Sequence, residues 1–137
     1  MKSFLGGAAA LVLAAMPMGA QAEGNLAAPP AIDLELKISG NAPTLEPLQF
    51  EIVTGDYYRL TLTSDGAEEF MFRAEEFLSN IHIRLLVISG IEVHMQNMLF
   101  RGIDFDKGGP VSFTFVAIRP GEYEFTVGDV PGKFIVR

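Results

Sequence analysis

The chain has 137 residues, of which 49% are hydrophobic and 20% are charged, and this length suits a single domain. It contains no cysteine, which excludes disulfides, zinc fingers, thiolate iron–sulfur ligation, cysteine nucleophiles and copper centres that need a thiolate. Ten Lys and Arg residues against 17 Asp and Glu residues give a net charge of −7. Nucleic acid is therefore not expected as a partner, because nothing offsets phosphate repulsion, and cations or a basic protein surface are favoured.

The first 22 residues have the pattern of an export signal. Lys2 supplies a basic start, an uncharged run of small and apolar residues follows, and Ala20-Gln21-Ala22 offers the small-x-small pattern that signal peptidase accepts. The alternative is a membrane anchor, but the run is at the lower edge of spanning length and ends in a cleavage site. We expect a periplasmic protein with no membrane span after cleavage, residues 23–31 as a flexible lead-in and residues 32–137 as the domain.

From residue 32 onward, apolar side chains recur at every second position, which is typical of half-buried strands. The alternation runs through residues 32–39, 48–52 and 58–63 and is cleanest in residues 111–115 and 122–127, and clusters of Gly, Pro, Asn, Asp and Ser separate these runs. About eight short strands with almost no helix predict an all-β antiparallel sandwich or barrel.

Residues 74–103 are the least regular part of the pattern. Residues 74–80 (AEEFLSN) predict a helical turn or two, with Phe77 and Leu78 pointing inward. Residues 81–87 and 91–95 predict two strands that are joined by a tight hairpin turn at Ser89-Gly90.

That hairpin sets the expected positions of the two histidines. With a two-residue turn, His94 faces Leu85 and His82 lies across from Asn97. The two histidines then occupy different strand faces, so a chelate that uses both would require a bulge or a twist.

Three segments make the chain resemble the cupredoxin family of exported Greek-key β-sandwiches with copper sites. Residues 48–66 (LQFEIVTGDYYRLTLTSDG) and 69–72 (EFMF) look like early strands of that family. Residues 111–136 look like its ending, and RPGEYEF is their most specific stretch. The resemblance implies a Greek-key β-sandwich of the cupredoxin type, here with a short helical turn and an inserted hairpin within residues 74–103.

The copper ligands of that family do not carry over to this chain. The resemblance places the family's thiolate at Val127 and its first histidine near Glu68 or Glu69, and the loop with the second histidine and the methionine is reduced to residues 128–132. The trigonal site of two histidines and one thiolate cannot form. We expect the sandwich without type 1 copper.

The sharpest local feature is the stretch at residues 94–98 (HMQNM). Imidazole and thioether donors together favour Cu(I), so His94, Met95 and Met98 are candidate copper ligands, and Met71 could add a donor if the strands pair suitably. The alternative is that these methionines fill gaps in a core.

Carboxylates offer a second set of candidates. Glu68-Glu69 and Glu75-Glu76 flank the EFMF strand and could hold a hard cation such as iron, although solvated charge at loop edges is the interpretation that we favour. Glu69 is retained as a candidate metal ligand because of its place in the resemblance, and His82 is an outside candidate.

The sequence carries no motif for catalysis: G-x-S-x-G, H-E-x-x-H, a Gly-rich phosphate loop and a Rossmann fingerprint are all missing, so no enzyme is predicted. Tyr123 after Pro120-Gly121 predicts a tyrosine corner, with the ring in the core. The leading hypothesis is metal-ion handling, copper ahead of iron, at a site other than type 1. The competing hypothesis is a metal-free interaction module that docks on a periplasmic transporter or redox enzyme through residues 74–103 and its acidic surface.

Overall fold

The computed structural model describes residues 30–89, 92–96 and 99–137, with side chains for residues 30–89 and 101–137. The predicted leader and most of the predicted lead-in lie outside the described residues. The elements in chain order are β1 Ile32–Ser39, β2 Thr44–Glu46, β3 Gln49–Ile52, β4 Tyr57–Ser64, β5 Phe70–Arg73, α1 Glu75–Ser79, β6 Ile81–Ile88, β7 Glu92–Gln96, β8 Leu99–Phe105, β9 Gly109–Ala117, β10 Gly121–Val127 and β11 Val130–Val136. No helix within these ranges is long and apolar enough to cross a membrane.

The strands form two sheets. The five-stranded sheet has the order β2-β1-β4-β9-β6, and the six-stranded sheet has the order β3-β11-β10-β5-β8-β7. Neighbours pair antiparallel except for β1 with β4 and β3 with β11, which pair parallel. The predicted all-β sandwich with one short helical segment is confirmed.

The core between the sheets is built largely from phenylalanine. The ring of Phe77 stacks on Phe134 with centroids 4.0 Å apart, and it meets Phe115 edge-on at 5.4 Å. All three side chains are fully buried. Because removing such a side chain from water is worth about 1.5–3 kcal/mol, this cluster is a major source of the sandwich's stability.

Helix α1 delivers Phe77 into that core, as predicted. Two carboxylates in its first turn, Glu75 and Glu76, interact favourably with the positive end of the helix dipole. The helix ends at Ser79, where the backbone N–H of Asn80 donates to the carbonyl of Phe77. Phe77 and Leu78 are buried, so this single turn closes part of the sandwich.

The predicted tyrosine corner is also confirmed. The Tyr123 hydroxyl donates a hydrogen bond of 3.0 Å to the carbonyl oxygen of Arg119, and the side chain is only 6% exposed. The bond closes the turn between β9 and β10 and leaves the ring in the core.

The pairing predicted for residues 81–95 is wrong. Strand β6 pairs with β9 in the five-stranded sheet, and β7 pairs with β8 in the six-stranded sheet. His82 therefore lies opposite Val116 instead of Asn97, and His94 lies opposite Gly102 instead of Leu85. The chain crosses between the two sheets after Ser89, and the hairpin in this part of the fold joins β7 to β8.

Candidate functional site

The position that the resemblance assigns to a copper thiolate is occupied by a buried apolar side chain. Val127 is the last residue of β10, is fully buried, and lies opposite Phe72 on one side and Val130 on the other. The register between β10 and β11 leaves only Gly128 and Asp129 to connect them. Valine supplies no metal donor, so the expected loss of the type 1 ligands holds at this corner.

The turn after Val127 is held close to β5. The N–H of Gly128 donates to the carbonyl of Met71 at 3.2 Å, and Gly128 has a φ of 56°, a backbone conformation that favours glycine. A Cβ at Gly128 would lie 3.6 Å from Phe70 and from Pro43, so both side chains pack beside the turn. This packing leaves a turn of two residues where the cupredoxin resemblance implies a ligand loop.

The candidate ligands fall in separate parts of the molecule. Glu69 is exposed and precedes β5 by one residue, whereas His82 is exposed on β6 in the other sheet. His94 and Met95 belong to β7, and Met98 lies outside the described residues. Within the parts of the chain described with side chains, no group of three or more His, Asp and Glu residues could hold a metal ion.

The register separates Glu69 from His94 as well. His94 lies opposite Gly102, which lies opposite Arg73, four residues along β5 from Glu69. At about 3.3 Å per residue and about 4.8 Å per strand, their alpha carbons are roughly 16 Å apart. Glu69 and His94 are therefore treated as separate candidates rather than as ligands of one ion.

A β-bulge interrupts the pairing of β7 with β8. His94 lies opposite Gly102, but the next residue, Met95, lies opposite Phe100, so that Arg101 is the extra residue of β8. A Cβ at Gly102 would clash with the carbonyl oxygen of Phe72, so the close approach of β8 to β5 requires glycine at this position.

The extra residue of that bulge makes a contact that the sequence did not reveal. The Arg101 guanidinium donates to Glu75 Oε1 from Nη2 at 2.6 Å and from Nε at 3.1 Å. It thereby links β8 to α1. Glu75 is one of the carboxylates considered as a cation site. Because it accepts these hydrogen bonds, it already has a structural partner. The 26-residue separation gives no local sequence signal for this contact.

Among the carboxylates whose side chains the structure describes, Asp65 is the one with a clearly shifted pKa. Backbone N–H groups of Ala67 and Gly40 donate to its oxygens at 3.0 and 2.8 Å. These bonds stabilise the charged form and hold the pKa of Asp65 below its ordinary value of 3.8. Asp65 thus fixes the turns after β1 and β4 rather than acting as a free ligand.

The most unusual surface lies on β6, the outermost strand of the five-stranded sheet. Leu85, Val87 and Ile88 are 54%, 52% and 38% exposed. We call these three residues the β6 apolar run. The unbroken apolar sequence LLVI is visible in the chain. Only the position of β6 at the edge of the sheet shows that no neighbouring strand covers it within the described fold.

Solved structures that resemble this chain include three cupredoxins. Reduced auracyanin from Roseiflexus castenholzii is 17% identical, with a TM-score of 0.49 over 79% of this chain and 99% of that one. Amicyanin from Paracoccus versutus is 13% identical, with a TM-score of 0.45 over 82% and 88%. Reduced rusticyanin is 14% identical, with a TM-score of 0.40 over 77% and 79%. These are likenesses of fold alone.

No family model matches the chain, and no curated protein matches it. The sheet order describes a β-sandwich, and Val127 is buried at the position where the sequence resemblance places the type 1 thiolate.

Proposed function

We propose that this chain is an exported metal-handling protein that binds Cu(I) at the β7–β8 hairpin, with His94, Met95 and Met98 as the donors. Imidazole nitrogen and thioether sulfur suit Cu(I), and the net charge of −7 favours the approach of cations. Iron is the secondary candidate, with Glu69 as its carboxylate ligand.

The observation that carries the proposal is the bulge at Arg101 of β8, which lies opposite His94 and Met95 of the edge strand β7. Strand β7 is the outermost strand of its sheet, and the register shifts between these two residues. Bulges re-aim side chains and are common beside functional sites.

The shortness of the connection supports the same donor set. Gln96 pairs with Leu99, so only two residues join β7 to β8. Met98 is then three residues from Met95 along the chain, at most about 11 Å for a fully extended backbone. This distance is compatible with donors that converge on one ion.

The test is a titration of the chain from Glu23 onward with Cu(I) against a competing chelator, with Cu(II) and Fe(II) in parallel. We expect stoichiometric Cu(I) binding, and a loss of affinity of about tenfold or more in the double variant His94→Ala, Met98→Ala, since each removes a donor. The matched control is His82→Ala, which removes the other histidine from the opposite sheet and should leave the affinity unchanged. Binding no stronger than the chelator, or a silent double variant, would refute the proposal.

The iron alternative has its own variant. Glu69→Gln removes the charge of the proposed carboxylate at nearly constant size, and it should weaken Fe(II) binding without altering Cu(I) binding. Equal Fe(II) binding by both proteins would exclude Glu69 as a ligand.

A second candidate function is a metal-independent interaction module. The observation that favours it is the β6 apolar run, which exposes three large hydrophobic side chains on an edge strand. Such edges are templates for pairing with another chain. The two candidates use different sheets, so variants of one surface should leave the other activity intact.

A further inference from the structure

Strand β6 has weak protection against pairing with another strand. Natural edge strands are commonly guarded by charges, proline or bulges. In β6 the charge and the bulge both fall at Arg84, because Ile83 lies opposite Phe115 while Leu85 lies opposite Thr114. The four residues after Arg84 are all apolar, so the second half of the strand has no such guard.

The bulge also determines which side chains face outward. After it, Leu86 and Ile88 lie opposite Phe113 and Val111, which are both fully buried in the core. Leu85 and Val87 alternate with them and therefore occupy the outer face of the sheet.

On the outer face, the residue of β9 that lies beside Leu85 is buried. That residue, Thr114, is 3% exposed, and the Thr114 hydroxyl has no hydrogen-bond partner among the described residues. A buried hydroxyl without a partner, next to the half-exposed Leu85 and Val87 at an open strand edge, is suited to apolar contact rather than to hydration.

We propose that β6 pairs antiparallel with β6 of a second copy of this chain, centred on Leu86. In this register Leu86 lies opposite its counterpart, Leu85 lies opposite Val87 of the second copy, and Arg84 lies opposite Ile88 of the second copy. The outward residues Leu85 and Val87 meet across the pair, and two five-stranded sheets join into one about a two-fold axis. A register centred on Leu85 would instead oppose Ile83 to Val87, which lie on different faces because of the bulge.

The distribution of charge favours a second copy of this chain as the partner of β6. Two chains of net charge −7 repel, but β6 and β9 contain no carboxylate, so copies can approach here without opposing carboxylates on those two strands. The two Arg84 residues would be four positions apart along the ladder, about 13 Å, which exceeds the screening length of about 8 Å at physiological salt.

Interface area sets the expected strength. Five paired residues per copy, three of them with exposed apolar side chains, bury less than the roughly 800 Å² per partner of a standard stable interface. The dimer should therefore be weak and should form as protein concentration rises. This inference is independent of metal binding.

A cysteine-free chain allows a direct test of the register. In the variant Leu86→Cys the paired residues would be about 5 Å apart, within disulfide range, and mild oxidation should yield a covalent dimer. In Ile88→Cys the two thiols would be four positions apart along the ladder, too far to bridge, and the yield should be near zero. Equal yields from the two variants, or none from Leu86→Cys, would overturn the register.

Sedimentation of the unmodified chain over roughly 10 µM to 1 mM tests the association itself. We expect a reversible shift from monomer towards dimer, and its loss in Val87→Lys, which places a charge in the pairing strand. The matched control is Leu48→Lys, because Leu48 is equally exposed, at 53%, but lies outside β6. Circular dichroism confirms that each variant is folded. A monomer at every concentration, or an equal effect of both lysines, would overturn the proposal, whatever the result of the metal titration.

Discussion

The β10–β11 hairpin and strand β6 both have apolar side chains at alternate positions in the sequence, but they lie in different environments. In β10 every second residue is buried, and the residues between them include the exposed Glu122 and Glu124. This hairpin lies inside its sheet, between β5 and β3. Strand β6 also alternates at first, yet it lies at the edge and exposes apolar side chains. Alternation therefore defines the faces of a strand, whereas its place in the sheet determines whether its edge is covered.

The largest expected effect is a difference in unfolding free energy between a substitution in the closed core and one on β6. Phe77→Ala removes a ring that contacts Phe134 and Phe115 in the closed core, and it should lower the free energy of unfolding by about 3–5 kcal/mol. Leu85→Ala on β6 should change it by less than about 0.5 kcal/mol, since that side chain is already half exposed. Urea unfolding measures both. Similar losses in the two variants would mean that β6 is as well packed as the core.

A smaller effect is expected at the β7–β8 bulge. Gly102→Ala places a methyl group against the carbonyl oxygen of Phe72, and overpacking of this kind should cost about 1–3 kcal/mol. Chemical unfolding checks the value, and Gly55→Ala is a control at a glycine with no atom near its Cβ position, although its φ of 85° adds some backbone strain. A neutral Gly102→Ala would contradict the close approach of β8 to β5.

The tyrosine corner should contribute less again. Tyr123→Phe keeps the ring in the core but removes the hydroxyl that donates to Arg119, which should cost about 0.5–1.5 kcal/mol. Tyr57→Phe, on a half-buried tyrosine of the outer face, provides the comparison for loss of a hydroxyl elsewhere. If the two variants lose the same unfolding free energy, the hydrogen bond from Tyr123 to Arg119 makes no specific contribution to stability.

The smallest effect is a pH dependence at Asp65. Its pKa is lowered in the folded state, chiefly by the N–H of Ala67 and then that of Gly40. The carboxylate therefore stabilises the fold above its ordinary pKa of 3.8, and this contribution is lost as pH falls through the lower, folded-state value. The difference in unfolding free energy between the chain and Asp65→Asn should be present at neutral pH and should shrink below pH 3.8. A difference that persists unchanged in acid would contradict the assignment.

Much of the fold was predictable because its signals are local. The helical turn with Phe77 and Leu78, the corner at Tyr123 and the hydrophobic alternation of β4, β9 and β10 each depend on neighbours within a few residues. The loss of the type 1 thiolate followed from composition alone, since a chain without cysteine cannot supply that ligand.

The candidate site was less predictable because it depends on pairing between distant strands. A hairpin of β6 with β7 satisfied the alternation as well as the observed pairing of β6 with β9 does. Neither the bulge at Arg101 nor its contact with Glu75, 26 residues away, has a local pattern. A one-residue shift of register exchanges the faces of a strand, so the positions of His82 and His94 relative to each other could not be read from spacing.

The sequence by itself determined that apolar side chains would line one face of each strand, and that no thiolate would be present, because periodicity and composition are properties of the chain. Only the tertiary structure decided that β6 and β7 belong to opposite sheets and that β6 has no neighbour beyond it among the described residues. Backbone hydrogen bonds are nearly the same for every pair of strands. The choice of partner is therefore made by how all the apolar faces close together around one core.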